Sequence, residues 1–84
     1  MTIAEIITTR IRTLCKERRI KLSHLAEMSN LSTSSIDNIV NGRSKSPTIS
    51  TLMKIANTFN MTVSEFLDIP ELNSYYQDDV PDED

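Results

Sequence analysis

The sequence predicts an all-α domain. Apolar residues recur at helical spacing in five segments, helix-capping residues precede most of them, and no stretch alternates between apolar and polar residues as a half-buried strand would. Eighty-four residues are enough for a single small domain with its own core. No apolar run is longer than two residues, so we expect no membrane span, and Glu5, Arg10 and Arg12 near the start argue against a signal peptide.

The first two helices are predicted before residue 30. Thr2 and Glu5 have the spacing of a capping box, and the helix that they begin continues to about Arg18 on one apolar face, formed by Ile3, Ile6, Ile7, Ile11 and Leu14. A second helix, of little more than two turns, carries Leu22, Leu25 and Ala26. Residues 29–31 interrupt this pattern, and Asn30 can adopt the left-handed conformation that a tight turn between helices requires.

Three more helices are predicted after this turn. Ser32 is a suitable N-cap for a third helix, which Asn41 and Gly42 would end. Thr48 can cap a fourth helix after a polar, basic loop, and Thr62 with Glu65 forms a second capping box at the start of a short fifth helix. The apolar positions predicted for these three helices are Ile36, Ile39, Val40, Ile49, Leu52, Ile55, Ala56, Phe59, Phe66 and Leu67.

Charge is distributed unevenly along the chain, whose formal net charge is −3. Residues 1–67 contain all nine basic residues and five acidic ones, which gives +4, whereas residues 68–84 contain seven acidic residues and no basic one. The first part is therefore mildly attractive to phosphates. We accordingly divide the chain into a helical domain, residues 1–68, and an acidic tail, residues 69–84, which we expect to be largely disordered.

The third predicted helix has an uncommon polar face. Its apolar residues fall on one side, and Thr33, Ser34, Asp37, Asn38 and Asn41 fall on the other, with Asp37 as the sole charge. Solvated helix faces usually carry Lys, Glu and Arg, whereas hydroxyl and amide side chains suit close approach to base edges, where Asn can pair with adenine. The start of the helix also offers amide groups to a phosphate. These features favour DNA binding without being specific for it.

A resemblance to a known family supports this interpretation. Residues 25–42 resemble the helix-turn-helix of the Cro/phage-repressor (XRE-like) family of transcriptional regulators, with a Leu-Ala pair before the turn, a Ser cap, inward Ile residues and a closing Asn-Gly. The likeness extends over about residues 3–68. It implies a five-helix repressor-like fold that binds an operator in double-stranded DNA as a homodimer and reads the major groove with the third helix, about residues 33–41.

The resemblance also implies roles for individual residues. Base-reading roles fall on Thr33, Ser34 and Asn38, with Asp37 beside them, and contacts with DNA phosphates fall on Lys21, Ser32, Asn41, Arg43 and Lys45. Three features depart from the family pattern: Leu22 replaces a common Gln, Asn30 replaces the usual turn Gly, and Cys15 and Val40 replace an Arg–Glu pair. None of these departures removes a residue that is expected to read bases.

No catalytic function is predicted. The sequence has no phosphate-binding loop, no cluster of metal ligands and no nucleophile paired with a base, so we expect neither an enzyme nor a metal or cofactor. His24 is expected to be exposed, and Cys15 to be a core thiol compatible with a reducing cytoplasm.

The alternative to DNA binding is a protein-interaction module on the same fold, which binds a toxin or another regulator. The modest basic charge and the acidic tail support this alternative.

Several positions retain more than one interpretation. Arg10 lies inside the apolar arc of the first helix, so it either pairs with an acid or lies at an edge. Loop charges without a function are an alternative for Arg43 and Lys45. The tail is inert, or binds a protein partner through Leu72, Tyr75 and Tyr76, or competes with DNA for the basic domain.

We also predict that Met28, Met53 and Met61 fill the core, and that Val63, Phe66 and the start of the tail are candidate dimer contacts.

Overall fold

The computed structural model describes residues 2–44 and 46–75, and this part of the chain contains six helices and no strand. The helices are α1 (Ile3–Arg18), α2 (Leu22–Met28), α3 (Thr33–Val40), α4 (Ile49–Thr58), α5 (Val63–Phe66) and α6 (Pro70–Asn73). The predicted all-α fold is confirmed, and the first five helices lie where the sequence predicted them. Within the described ranges, no helix is both long and apolar enough to cross a membrane.

Side-chain caps begin four of these helices. The hydroxyls of Thr2 and Thr62 each accept a hydrogen bond from the backbone of a glutamate three residues later, at 3.1 Å in both cases, and each glutamate closes a capping box. Ser32 and Thr48 cap α3 and α4 in the same way without the second bond. Each such cap stabilises its helix by about 0.5–2 kcal/mol, so local sequence specifies where these helices begin.

The same type of turn follows each of the helices α1, α2, α3 and α4. A residue with positive φ follows each helix, namely Arg19 at 55°, Asn30 at 57°, Gly42 at 75° and Asn60 at 58°. Its N–H bonds to the carbonyl three residues earlier, and the next N–H bonds to the carbonyl five residues earlier, as in a Schellman motif. The prediction of a left-handed Asn30 is therefore confirmed. After α1, α2 and α4 the next residue is apolar and packs on the core: Ile20, Leu31 and Met61.

The core lies where α1, α2, α3, α4 and α5 meet. Its largest fully buried side chains are Phe59, Phe66, Ile11, Leu25, Ile36 and Ile55. Cys15 is buried as predicted, and burial raises the pKa of its thiol. Because Phe66 is 0% exposed, the suggestion that it contributes to a dimer contact is wrong.

Three large hydrophobic side chains are exposed, and two of them, Met28 and Met53, were predicted to fill the core. Ile49, the first residue of α4, is 59% exposed, and Met53, one turn later, is 46% exposed. Met28 at the end of α2 is 47% exposed, whereas Met61 packs against the core as predicted. Helical spacing places these residues at the edge of the apolar face of their helix. Whether a neighbouring helix covers that edge depends on how the helices pack in the folded chain.

The sixth helix was not predicted. Proline is well suited to the first turn of a helix, and Pro70 begins α6. Ile69 is 8% exposed, and α6 lies against α1, so residues 69–73 pack with the helical body although the sequence analysis assigned them to the tail. Tyr76 and the acidic residues from Asp78 to Asp84 lie outside the described residues, and the three interpretations of the tail stay predictions.

Two arginines of α1 cap the ends of other helices. Arg10 donates from Nε to the carbonyl oxygen of Phe66 at 3.0 Å and from Nη2 to that of Glu65 at 3.1 Å, and its Cζ lies 5.9 Å from the centroid of the Phe66 ring. Arg18 donates from Nη1 to the carbonyl oxygen of Phe59 at 3.1 Å. Carbonyls at a helix C-terminus lack intrahelical partners, so these arginines satisfy them. The partners of Arg10 are backbone carbonyls, not the acidic side chain considered from the sequence.

Candidate nucleic-acid interface

A tight turn joins α2 to α3. Ser29 is buried, and its hydroxyl donates to the backbone carbonyls of Leu25 at 2.6 Å and Ala26 at 3.2 Å. Asn30 has a left-handed backbone, and the N–H of Leu31 bonds to the carbonyl of Ala26 at 2.9 Å. Since all of these bonds join the turn to the last residues of α2, local structure sets the direction in which the chain leaves α2.

The start of α3 is organised by Ser32. Its Oγ accepts a hydrogen bond from the N–H of Ser35 at 3.0 Å and lies 2.8 Å from the Oγ of Ser35. The predicted cap is confirmed. A phosphate contact by Ser32, as the resemblance implies, would have to share this hydroxyl with the cap.

One side of α3 is held firmly against the body. Ile36, Ile39 and Val40 are buried as predicted, and α3 packs on both α1 and α2. In addition, Thr8 of α1 donates from its hydroxyl to the carbonyl oxygen of Ile39 at 2.9 Å. Sequence analysis missed Thr8, because no spacing rule identifies a hydrogen bond between residues 31 positions apart. The apolar contacts and this bond leave α3 little freedom to rotate about its axis.

The opposite side of α3 is polar and open to solvent. Thr33, Ser34, Asp37 and Asn38, the residues predicted to read bases, are all exposed, as is Asn41. Within residues 2–44 and 46–75, the first four have no side-chain hydrogen bond to another residue. Their donors and acceptors are therefore available to a ligand. The spacing of four residues from Ser34 to Asn38, and from Thr33 to Asp37, places them in two adjacent rows along the helix.

The end of α3 directs a cation to the surface. The N–H of Gly42 bonds to the carbonyl of Ile39 at 3.2 Å, and the N–H of Arg43 bonds to that of Asn38 at 2.9 Å. In the three equivalent turns elsewhere the residue after the left-handed one is apolar and packs on the core, whereas here it is the exposed Arg43. The turn thus holds the Arg43 backbone one residue past the helix and leaves its guanidinium in solvent.

The remaining predicted phosphate contacts lie around this surface. Lys21 is the exposed N-cap residue of α2, and its side chain makes no capping hydrogen bond. Asn41 is the C-cap of α3, and its N–H bonds to the carbonyl of Asp37 at 2.9 Å. Lys45 lies outside the described residues, so its predicted role stays a prediction. No group of three or more acidic, Cys or His side chains in the described ranges could hold a metal ion.

Comparison with known proteins identifies similar domains. A family model described as a Cro/C1-type HTH DNA-binding domain matches residues 10–71. The crystal structure of the prophage Lp1 protein 11 is 28% identical, has a TM-score of 0.79 and aligns over 88% of this chain and 97% of its own. An HTH_3 family transcriptional regulator from Vibrio cholerae is 32% identical with a TM-score of 0.72. That alignment covers 92% of this chain but 45% of the regulator, so this chain spans about half its length. No curated protein sequence matches the chain significantly.

Proposed function

Because this chain belongs to the Cro/C1-type helix-turn-helix DNA-binding family, we propose that it is a sequence-specific transcriptional regulator that reads the major groove of double-stranded DNA with α3. The observation that carries the proposal is the exposed face of α3, where four polar side chains have no hydrogen bond in the described part of the chain. Burial of the other side of the helix supports it. An α-helix fits the major groove, and a helix anchored on one side can present the other side rigidly.

Each polar residue of α3 has a base edge that suits it. The Asn38 amide can form a bidentate pair with adenine, in which the amide nitrogen donates to N7 and the amide oxygen accepts from the N6 amino group. The hydroxyls of Thr33 and Ser34 can donate to or accept from several bases, and the Asp37 carboxylate can accept from the amino group of cytosine. Phosphates would be bound by Lys21, Ser32, Asn41, Arg43 and Lys45, which surround this face in sequence.

The proposal includes repression by a pair of copies. An eight-residue helix reaches only a few base pairs, so we expect two copies on a two-fold operator, with half-sites about 34–36 Å apart. A complex of this kind would block access of polymerase to a promoter, and the site of action would be the cytoplasmic DNA of a bacterium or of its phage. The Vibrio cholerae neighbour is itself described as a transcriptional regulator, which supports the regulatory part of the proposal.

Two variants test whether α3 reads bases. Duplexes bound by the chain would first be selected from a random pool, and affinities for a selected and a random duplex would then be measured over a range of salt concentrations. Asn38→Ala should lose about 1–3 kcal/mol on the selected duplex and little on the random one. The matched control, Arg43→Ala, should weaken both duplexes alike and reduce the slope of log affinity against log salt by about one.

The same measurements can contradict the proposal. Equal losses on the two duplexes for Asn38→Ala would remove this residue from the base-reading set. If the folded chain binds no duplex even at low salt, DNA binding is wrong, and a protein-interaction module on the same fold becomes the better interpretation.

A further inference from the structure

The exposed side of α1 carries a row of cations. Arg12 and Lys16 lie four residues apart, and Arg19, the C-cap residue of the helix, follows three residues later, which is the spacing of neighbours on one face of a helix. All three residues are exposed, and in the described part of the chain none of their side chains forms a hydrogen bond or an ion pair. We call these three residues the α1 basic stripe.

A cleft with an apolar lining adjoins the α1 basic stripe. It lies between α1 and the start of α6, and its volume is about 270 Å³. Ile6, Ile69 and Pro70 supply its apolar surface, and Thr9 and Thr13 line the side formed by α1. Each threonine lies three residues before a cation of the stripe, so the cleft and the stripe are neighbours on one surface. Sites for small-molecule ligands usually measure roughly 300–1,000 Å³, so this smaller cleft suits a side chain of a peptide segment better.

We propose that the acidic tail of the same chain, residues 76–84, docks on this surface, with its carboxylates on the α1 basic stripe and the Val80 side chain in the cleft. The inference goes beyond the proposed function and does not depend on it, because the contact lies within one chain. Among the three interpretations of the tail, it retains a contact with the basic domain but assigns that contact to α1 rather than to α3.

The chemistry of the tail complements that of the surface. Residues 76–84 contain five acidic residues and no basic one, and the apolar residues Val80 and Pro81 lie between the acids. The surface has the matching arrangement, with cations beside an apolar cleft. The cleft also contains the acidic side chain of Glu71, which disfavours a second carboxylate there. The carboxylates of the tail are therefore expected on the stripe, and an apolar residue in the cleft.

The tail begins close to this surface. Ile69 is buried and α6 packs on α1, so the chain that leads into the tail is held against the same helix. The tail starts six residues after Pro70, which lines the cleft. Nine residues can span up to about 30 Å, whereas a helix of 16 residues such as α1 is about 24 Å long. Every cation of the stripe is therefore within reach of the tail.

The covalent connection explains why the tail of the same chain is the favoured occupant. Exposed ion pairs are individually weak, so an unconnected acidic peptide would bind this surface poorly. A short flexible connection raises the local concentration of the tail to the order of millimolar, at which a weak contact is populated. Such a contact should also be sensitive to salt, because the screening length falls from about 10 Å at 0.1 M to about 3 Å at 1 M ionic strength.

A nitroxide label on the tail can locate the contact by NMR. Gln77→Cys introduces the attachment site, and the nitroxide broadens the signals of backbone amides that it approaches. Cys15 is buried, so a single label is expected, and the mass of the labelled chain verifies it. A neutral-tail variant of the labelled chain keeps the length and removes the charge by Asp78→Asn, Asp79→Asn, Asp82→Asn, Glu83→Gln and Asp84→Asn. This variant supplies the broadening that mere proximity of the tail to α1 produces.

Two variants of the labelled chain with an intact tail test the stripe. Arg12→Gln with Lys16→Gln removes two of its cations, and Arg43→Gln with Lys54→Gln is the matched control, since it removes one exposed arginine and one exposed lysine elsewhere. Val80→Asn tests the cleft. Circular dichroism verifies that each variant is folded, and a salt titration of the labelled parent needs no further substitution.

We expect the label to broaden the amide signals of α1 around the stripe in low salt, well beyond the level in the neutral-tail variant. The excess should disappear at about 1 M salt and in Arg12→Gln with Lys16→Gln. It should decrease in Val80→Asn and persist in Arg43→Gln with Lys54→Gln.

Several results would overturn the inference. These are equal broadening in the parent and the neutral-tail variant, equal loss in the stripe variant and its matched control, excess broadening around Arg43 instead of the stripe, and no effect of Val80→Asn. A mixture of labelled chains with unlabelled, ¹⁵N-enriched chains detects contacts between copies. Broadening of the same strength in that mixture would assign the surface to the tail of a second copy and would also overturn the inference.

Discussion

Replacing Arg10 by Met should destabilise the fold by more than any other single change to the charged residues of α1. Arg10 connects α1 to the last turn of α5 through two hydrogen bonds, at 3.0 and 3.1 Å, and it lies beside the Phe66 ring. Methionine keeps much of the apolar stem, which lines the same surface cleft as Ile6 and Ile69. The change therefore isolates the guanidinium group, whose loss removes the donor to the Phe66 carbonyl, whereas the Glu65 carbonyl still accepts a hydrogen bond from the N–H of Asp68 at 3.3 Å.

The size of the effect follows from the burial of each contact. Hydrogen bonds from a charged donor contribute about 1.5–3 kcal/mol each when they are protected from water. The bond to Phe66 is partly buried, so we assign it about 1.5 kcal/mol, whereas the bond to Glu65 is exposed and water can replace the donor there. The cation–π contact adds about 0.5–1 kcal/mol. The expected loss is about 2–3 kcal/mol, or a decrease in Tm on the order of 10–20 °C for a domain of this size.

Arg18→Met provides the matched comparison. Arg18 lies on the same helix and makes one bond, to the carbonyl of Phe59, but Arg18 is exposed whereas Arg10 is half-buried, so its replacement should cost about 1 kcal/mol. Both variants would be unfolded in urea and followed by circular dichroism, and an unchanged m value would show that the midpoint reports stability alone. A loss below about 0.5 kcal/mol for Arg10→Met, or a loss no larger than that of Arg18→Met, would refute the reasoning.

Two further predictions concern helix ends. Gly42→Ala should reduce the free energy of unfolding by about 1–2 kcal/mol, because φ is +75° there although nothing lies within 4 Å of the added Cβ; a neutral result in thermal unfolding would disprove the backbone explanation. The backbone and side chain of Thr62 hydrogen-bond to the Glu65 carboxylate and lower its pKa, so this contribution to stability is present above the ordinary glutamate pKa and is lost as pH falls through the lowered value. NMR titration should therefore find the Glu65 pKa below its usual range in the parent and higher in Thr62→Val, and identical values in the two chains would contradict the assignment.

The helix starts and turns could be predicted because the interactions that form them are local. Thr2, Ser32, Thr48 and Thr62 bond to backbone groups three residues away, and Asn30 and Gly42 occupy left-handed positions that few other residues tolerate. The polar face of α3 could be predicted for a similar reason, since helical periodicity assigns each residue to one side. Family resemblance then supplied the expectation that this face reads DNA.

What surrounds each helix could not be predicted in this way. Periodicity defines an apolar arc, but it does not state whether a neighbouring helix covers the edge of that arc. Met53 was therefore assigned to the core, and Ile49 to the apolar positions of its helix, although both are exposed. Arg10 was ambiguous because its partners are 55 and 56 residues away and are backbone carbonyls, which have no signature in the side-chain sequence. The short helix α6 depends in the same way on contact with α1. Local sequence thus determines which segments are helical and which residues share a face, whereas the packing of distant segments decides which of those faces remain open to a partner.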